Sequence, residues 1–357
     1  MVITMKVLTL YGAGDMRLEE RPVPKAGANQ LVVKINYVGV CGTEVEFYAG
    51  HIMPFIHLPL IPGHENVGTI VELGEGVQDF KIGDRVICGP PTVCAELCPC
   101  CKRGKSNLCT AAFPGRTAGF GDRDGGYAEY MLVTDVAHSA VVKIPDNVDF
   151  KDAVLFDVIC VALHAVRTSR FRIGDNVVVS GPGSVGLSAI QFLKAAGADK
   201  IISLGVFDES EKIAKKYGAD YYINAAKCED LPTEVQRLLG AGEGADVVFE
   251  CAGHPSSYLN CVPLIRAGGQ MMCVGTISEP VTFTPSRYGP MELDYQYSFV
   301  YTEEDINIYM NMLSSGKVGF PGMVTGIFSM EDVVEKYIAL SMEGRKSHLK
   351  ALIDPSL

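Results

Sequence analysis

An apolar run, Asn176–Ser180, passes directly into Gly181-Pro182-Gly183-Ser184-Val185-Gly186 and then into a segment of helical spacing that closes at Gly197. Three glycines at that spacing between a strand and a helix admit few folds. The first permits a tight turn, the second lets a backbone approach a pyrophosphate, and the third lets helix and strand pack closely. Free N–H groups at the start of the helix then face the phosphates. A glycine-rich turn without a ligand is the alternative, and it keeps the same architecture. Lys200–Gly205, Asp246–Glu250 and Gln270–Gly275 read as further buried strands, and a second helix closes at Gly218. Strand and helix alternating in this way predict an α/β fold with a doubly wound parallel sheet.

The first part of the chain has a different rhythm. Leu31–Val38, Val67–Leu73 and Arg85–Cys88 are short, β-branched and punctuated by glycine or proline. Beyond about residue 295 a helical pair is predicted, with Thr302 and Ser329 as N-caps and Gly316 and Gly344 as stops. A length of 357 residues suits two domains. One internal echo, Phe80–Val86 against Phe171–Val177, is too short for an architectural repeat and predicts two similar turns leading into strands.

The strand after the glycine turn normally ends on an acid that binds the ribose hydroxyls of NAD. Here that position is Gly205, followed by Val206 and Phe207. The missing acid removes repulsion against a 2′-phosphate and so favours NADP. Yet no arginine stands beside it, and Lys212 is the nearest cation, so NAD and NADP both stay open. Asp208-Glu209-Ser210-Glu211 reads as a cap for the following helix. The cofactor-binding candidates are Gly181, Gly183, Ser184, Val185 and Gly186 in the turn, with Gly205, Lys212, Cys251 and Val274 beyond it.

Twelve cysteines occur, five of them between Cys94 and Cys109. In a long chain without a secretory leader pattern, metal ligands or buried thiols are expected rather than disulfides. Cys98, Cys101 and Cys109 have zinc-ligand spacing, and Cys94 lies close enough to complete four thiolates. Cys100 is an alternative to Cys94 or Cys98. A four-thiolate site leaves no open position, so this zinc is structural.

Cys41-Gly-Thr43-Glu44 follows an apolar strand, and Gly63-His64-Glu65 follows a proline-rich stretch. Together they supply sulfur, nitrogen and carboxylate, whereas a catalytic zinc takes three protein ligands and keeps a fourth place open. Several motifs now align in order: VGVCGTE (38–44), IPGHENVGTIVELGEGV (61–77), FKIGDRV, the cysteine lobe, DGGYAEY (124–130), LFDVICVALHA (155–165) and GPGSVG. They span nearly the whole chain, which resembles a zinc-dependent medium-chain dehydrogenase/reductase of the polyol (sorbitol-type) branch.

The resemblance implies a GroES-like β-rich catalytic domain, residues 1–152 and 295–357, and a Rossmann dinucleotide domain, residues 153–294. It implies catalytic zinc ligands at Cys41, His64 and Asp157, with Glu65 a ligand in some states. The branch carries glutamate where Asp157 stands, so the shorter aspartate reaches the metal either through a small backbone shift or through a water. Thr43 would take up the hydroxyl proton of the alcohol. A relay histidine is replaced by Glu46, and His51 lies nearby. The branch expects its first lobe cysteine at Ala95, where this chain has Cys94 instead. Tyr48, Phe113, Phe120, Arg287, Glu292, Phe299 and Tyr301 fall near the substrate pocket of such proteins. The activity implied is hydride transfer between a secondary alcohol (a polyol, sugar alcohol or cyclitol) and NAD or NADP. L-Threonine or a simple alcohol as substrate, and a non-catalytic zinc-stabilised binding protein, are the alternatives. A dimer or tetramer is implied, with tetramer favoured.

Net charge is −11, and no basic tract is present, which argues against nucleic acid as a partner. No apolar run approaches the roughly 20 residues that span a bilayer. The expected location is the cytoplasm, and the expected partner is a small-molecule alcohol or ketone.

Overall fold

The computed structural model describes residues 3–51, 56–94, 98–110, 116–240, 242–277, 279–339, 341 and 349–357. The chain divides into two compact units, Met1–Asp157 with Thr302–Leu357, and Val158–Tyr301. The first stretch runs β1 (Thr4–Gly12), β2 (Asp15–Pro22), β3 (Leu31–Val40), α1 (Gly42–Tyr48), β4 (Glu65–Leu73), β5 (Arg85–Thr92), α2 (Pro99–Lys102), β6 (Tyr130–Val133), β7 (Ser139–Lys143) and α3 (Phe150–Ala153). Helix α4 (Phe156–Thr168) follows. Then come β8 (Val177–Ser180), α5 (Ser184–Ala195), β9 (Ile201–Gly205), α6 (Ser210–Lys216), β10 (Tyr221–Asn224), α7 (Leu231–Leu239), β11 (Ala245–Glu250), α8 (Pro255–Cys261), β12 (Ile265–Cys273) and β13 (Asp294–Tyr297). The chain returns with α9 (Glu303–Ser314), β14 (Val324–Phe328) and β15 (Lys350–Ile353).

In the first unit β1 pairs with β2, and a second sheet has the order β14-β15-β3-β4-β5-β7 with β6 also on β3. Strands β3, β4 and β15 are buried on both faces over most of their length. Val33, Ile35, Ile70, Val86 and Ile353 are buried in one core. Strand β4 begins at Glu65, ahead of the Val67 start that the apolar pattern suggests, because Gly39 on β3 pairs with Glu65 itself.

The second unit is a six-stranded sheet in the order β10-β9-β8-β11-β12-β13, with every pair parallel. Val178, Ile202, Val248 and Met271 lie fully buried in it. Strand β12 begins at Ile265, earlier than the Gln270 start expected, since Ile265 already pairs with Ala245.

The sequence echo is one turn used twice. Asp84 accepts the backbone N–H of Lys81 and Asp175 that of Arg172, each just ahead of a strand. Thr302 caps α9 through a capping box with Asp305, and Gly316 follows its end at φ +69°. The second helix of the expected pair is a short π-helical segment, Val334–Ile338. Ser329 accepts the N–H of Asp332 ahead of it, and Gly344 lies outside the described residues. No helix among the described residues is long and apolar enough to cross a membrane.

Candidate active site and metal centres

Two groups of metal-ligating side chains occur among the described residues. In the first, the ligand atoms of Cys41, His64, Glu65 and Asp157 all lie within 4.8 Å of one another. Strand β3 delivers Cys41, which is the N-cap of α1 in an extended conformation. Gly63, at φ +98°, turns the chain into β4 and presents His64, and a Cβ there would sit 2.5 Å from the ring of Tyr127. Asp157 stands in the first turn of α4.

Glu44 ties these pieces together. It is completely buried. One of its oxygens accepts the backbone N–H of Cys41 at 2.9 Å, and the other accepts from His64 Nδ1 at 2.7 Å. A carboxylate on one imidazole nitrogen fixes the tautomer and leaves Nε2 as the ligand atom. His64 Nε2 lies 3.9 Å from Asp157 Oδ2. Two ligands about 2.0–2.3 Å from a shared zinc stand about 3.3–3.8 Å apart at a tetrahedral angle. One sulfur, one nitrogen and carboxylate oxygens at this spacing fit a zinc ion, and Asp157 is close enough to share it.

The electrostatics match a site built for a cation. Burial disfavours charge on His64, but the Glu44 carboxylate and the Cys41 sulfur outweigh it and hold its pKa well above the ordinary value. Burial pushes Glu65 up to about 7 against the pull of Lys350. Lys350 is buried too, and although burial opposes its charge, Glu65 holds it above the usual lysine range. The proton of this pair therefore stays on Lys350. Breaking such a buried pair by removing one partner costs about 3–5 kcal/mol. Thr43 Oγ1 lies 3.5 Å from Cys41 Sγ. Glu46 is exposed and pairs with His51 Nδ1 at 2.7 Å.

The second group is Cys94, Cys98, Cys101 and Cys109. Cys94 and Cys101 sulfurs stand 3.7 Å apart and those of Cys98 and Cys109 3.9 Å apart, close to the spacing of thiolates around one zinc. Cys98 caps the short helix α2. The backbone N–H groups of Cys101 and Cys100 lower its pKa to about 6, whereas burial pushes Cys101 up to about 12. Cys100 is not in the group, and its sulfur accepts from Arg103 at 3.8 Å. Ala95 lies outside the described residues. All twelve cysteines are free of disulfides.

In the second unit the glycine turn sits at the carboxyl end of β8. Gly181 has φ +93°, and a Cβ on Gly186 would lie 2.0 Å from the Gly181 carbonyl oxygen. A Cβ on Gly183 would meet nothing within 4 Å, so this glycine leaves open space above Ser184 and Val185 at the start of α5. Gly205, Cys251 and Val274 lie at or just beyond the carboxyl ends of β9, β11 and β12, the edge of a parallel sheet where ligands bind. Glu250, buried under that edge, accepts the N–H groups of Ala252 and Gly253 and the hydroxyl of Ser257. Lys212 is exposed on α6.

Gly205 has a steric explanation. A Cβ there would lie 2.3 Å from the Tyr222 hydroxyl, which donates to the Phe207 carbonyl at 2.5 Å. The Tyr222 side chain thus occupies the space an acid would need. The expected capping role of Asp208 is not what forms. Helix α6 has Glu209 at its N-cap with no side-chain cap bond. Asp208 instead accepts from Asn224 at 2.6 Å and from Lys227. The Asn224 amide on β10 and the charge of Lys227 beyond it outcompete local capping.

Of the substrate-side candidates, Phe120 packs edge-on against His64, with centroids 4.7 Å apart. Tyr301 is wholly buried and Phe299 half exposed, and both belong to the second unit with Arg287 and Glu292. Tyr48 packs on the core of the first unit, and Phe113 lies outside the described residues. Glu44, Lys350 and Tyr222 are the residues that sequence reasoning missed. For Glu44 a signal existed, since it is the third residue after a cap-position cysteine, the spacing of a capping box.

Comparison with known proteins agrees with this geometry. Residues 27–146 match the alcohol dehydrogenase GroES-like domain, and residues 184–315 match the zinc-binding dehydrogenase domain. Sorbitol dehydrogenase of Halalkalibacterium halodurans is 32% identical over 94% of this chain and 95% of its own. D-xylulose reductase A of Aspergillus oryzae is 30% identical over 92% of this chain and 91% of its own. The crystal structure of 2R,3R-butanediol dehydrogenase from Bacillus subtilis superposes with a TM-score of 0.87 at 27% identity, covering 98% of this chain and 99% of that one.

Proposed function

The chain belongs to the zinc-binding medium-chain dehydrogenase/reductase family, whose hydride transfer between a secondary alcohol and NAD(P) it carries out, and we propose which residues do this and on what. The observation that carries the assignment is the convergence of Cys41, His64, Glu65 and Asp157 with Glu44 behind His64. Cys41, His64 and Asp157 hold the catalytic zinc, which when bound polarises the alcohol oxygen as a Lewis acid. Thr43 takes up the hydroxyl proton and passes it outward, and the Glu46–His51 pair is the acceptor at the surface. Cys94, Cys98, Cys101 and Cys109 hold a structural zinc. Gly181–Gly186, in the unit Val158–Tyr301, would hold the pyrophosphate of a nicotinamide dinucleotide, which would supply the hydride acceptor.

The substrate we propose is a polyol or related vicinal diol oxidised at a secondary carbon. Sorbitol, xylulose and butanediol, named for the three relatives, share a secondary carbon flanked by a second hydroxyl or its ketone. The protein is a homo-oligomer, tetramer before dimer, working in the cytoplasm, where twelve cysteines outside any disulfide stay reduced.

The test is turnover by zinc-loaded protein with NAD and NADP separately, against polyols, cyclitols, simple alcohols and L-threonine. Strong turnover of one polyol with one cofactor is expected. Turnover of only threonine or a simple alcohol keeps the mechanism and discards the polyol. No turnover with zinc bound favours a binding protein that retains the fold.

A further inference from the structure

Glu250 ends β11 fully buried, and among the described residues no lysine or arginine pairs with it. Its partners are neutral donors. Oε1 accepts the N–H of Ala252 at 2.9 Å, the N–H of Gly253 at 3.0 Å and the Ser257 hydroxyl at 2.7 Å. Ser257 Oγ in turn lies 2.9 Å from Ser180 Oγ at the end of β8. Three donors on one oxygen favour the ionised carboxyl, since a bond to a charged acceptor is about twice as strong as a neutral one. Burial works the other way and raises the Glu250 pKa. The titratable groups around it are His254, Cys251, Cys261 and Cys273, and burial keeps the three thiols neutral.

The loop that Glu250 collects lies against the glycine turn. A Cβ on Gly181 would be 2.7 Å from the Ala252 nitrogen. N–H and C=O point opposite ways across a trans peptide. With the N–H groups of Ala252 and Gly253 turned in to Glu250, the carbonyls of Cys251 and Ala252 point away from it. Neither carbonyl accepts a hydrogen bond among the described residues. Ala252 is exposed, and the loop follows the carboxyl end of β11, the edge where a parallel sheet binds its ligands. We propose that Glu250 is a positioning residue for the dinucleotide, its ionised carboxylate fixing the 251–253 loop so that two carbonyls stand ready for donor groups of the cofactor. This rests on reading Gly181–Gly186 as the seat of the pyrophosphate. A neutral Glu250 holds the loop less firmly, and binding then has to order it first. Affinity for the dinucleotide therefore falls as pH drops through the Glu250 pKa.

The test is direct titration of full-length protein with NADH and with NADPH, read by nicotinamide fluorescence, from about pH 5.5 to 8.5. The wild-type Kd should rise about tenfold on acidification and then level off. Glu250→Gln, which mimics the protonated carboxyl, should bind at that weaker level throughout and show no rise. Ser257→Ala removes a hydroxyl that favours the charged form, so the midpoint of the rise should move to higher pH. Circular dichroism checks the fold of each variant, and Ser257→Ala decides the matter if Glu250→Gln fails to fold. A flat wild-type profile, a rise that persists in Glu250→Gln, or an unmoved midpoint in Ser257→Ala overturns the proposal. So does Glu250→Gln binding as tightly as the wild type at high pH. Absence of NADH and NADPH binding in the wild type at every pH instead overturns the dinucleotide reading itself.

Discussion

Glu44 holds Cys41 and His64 at once, one carboxylate oxygen on the Cys41 backbone N–H at 2.9 Å and the other on His64 Nδ1 at 2.7 Å. Both metal ligands thus take their orientation from a single side chain that would not touch the metal. Glu44→Gln should weaken zinc at this site by about 10–100-fold, the usual cost of losing a partner behind a ligand. Competition with a chromophoric chelator measures this, and unchanged affinity would show that His64 is oriented by other contacts.

Removing a ligand outright should cost more. Cys41→Ser and His64→Ala should each lower kcat/KM by about 4 kcal/mol, roughly a thousandfold, the contribution expected of a Lewis-acid metal. Circular dichroism should show the fold retained. Full turnover in either variant would sink the zinc assignment.

Zinc affinity at this site should depend on pH with a definite sign. The folded metal-free chain raises the pKa of His64. Protonated His64 therefore stabilises the metal-free fold fully below the unfolded pKa, and that gain fades as pH rises through the folded value. Zinc needs the neutral imidazole, so its affinity runs the other way. It should fall about tenfold per pH unit below the folded His64 pKa. Zinc titrations of stripped protein from about pH 6 to 9 would reveal the slope.

The cysteine lobe separates two readings of one cluster. Cys94→Ser should lose one zinc per chain and lower the melting temperature, with a stability loss of about 2–5 kcal/mol. Cys100→Ser, whose sulfur lies outside the group, should keep both zincs and stay within about 0.5 kcal/mol of wild type. Metal analysis with thermal denaturation distinguishes them, and a lost zinc in Cys100→Ser would reassign the fourth ligand.

Gly205→Asp should destabilise the protein by about 1–3 kcal/mol, because its Cβ meets the Tyr222 hydroxyl. Adding Tyr222→Ala should clear that space and shift the kcat/KM ratio toward NAD by about tenfold. Denaturant midpoints and the two cofactor rates test the two halves separately.

What could be read from the chain alone depended on how local each cause is. The turn at Gly181–Gly186 was legible because steric need writes glycine at each position, and the lobe because four thiolates sit within a short stretch. Cys41, His64 and Asp157 became legible only together, through a motif order that no single spacing contains. Glu44 carries the capping-box spacing after Cys41, but its bond to His64 acts across 20 residues, and Lys350 meets Glu65 across 285, so neither of those two contacts shows as a pattern. Tyr222 explains Gly205 from a neighbouring strand, through a contact that appears only once β9 and β10 lie side by side. Asp208 misled because a short acidic run has two uses, and the nearer partner in space was Lys227.

The distance along the chain between Glu65 and Lys350 also sets a schedule. At roughly 5–20 residues per second, a ribosome needs about 15–60 s to travel from one to the other. Until β15 is made, the buried carboxylate of Glu65 lacks the ammonium that faces it in the folded chain, and the sheet of the first unit, which takes β15 between β14 and β3, can be completed only after residues 350–353 have been synthesised.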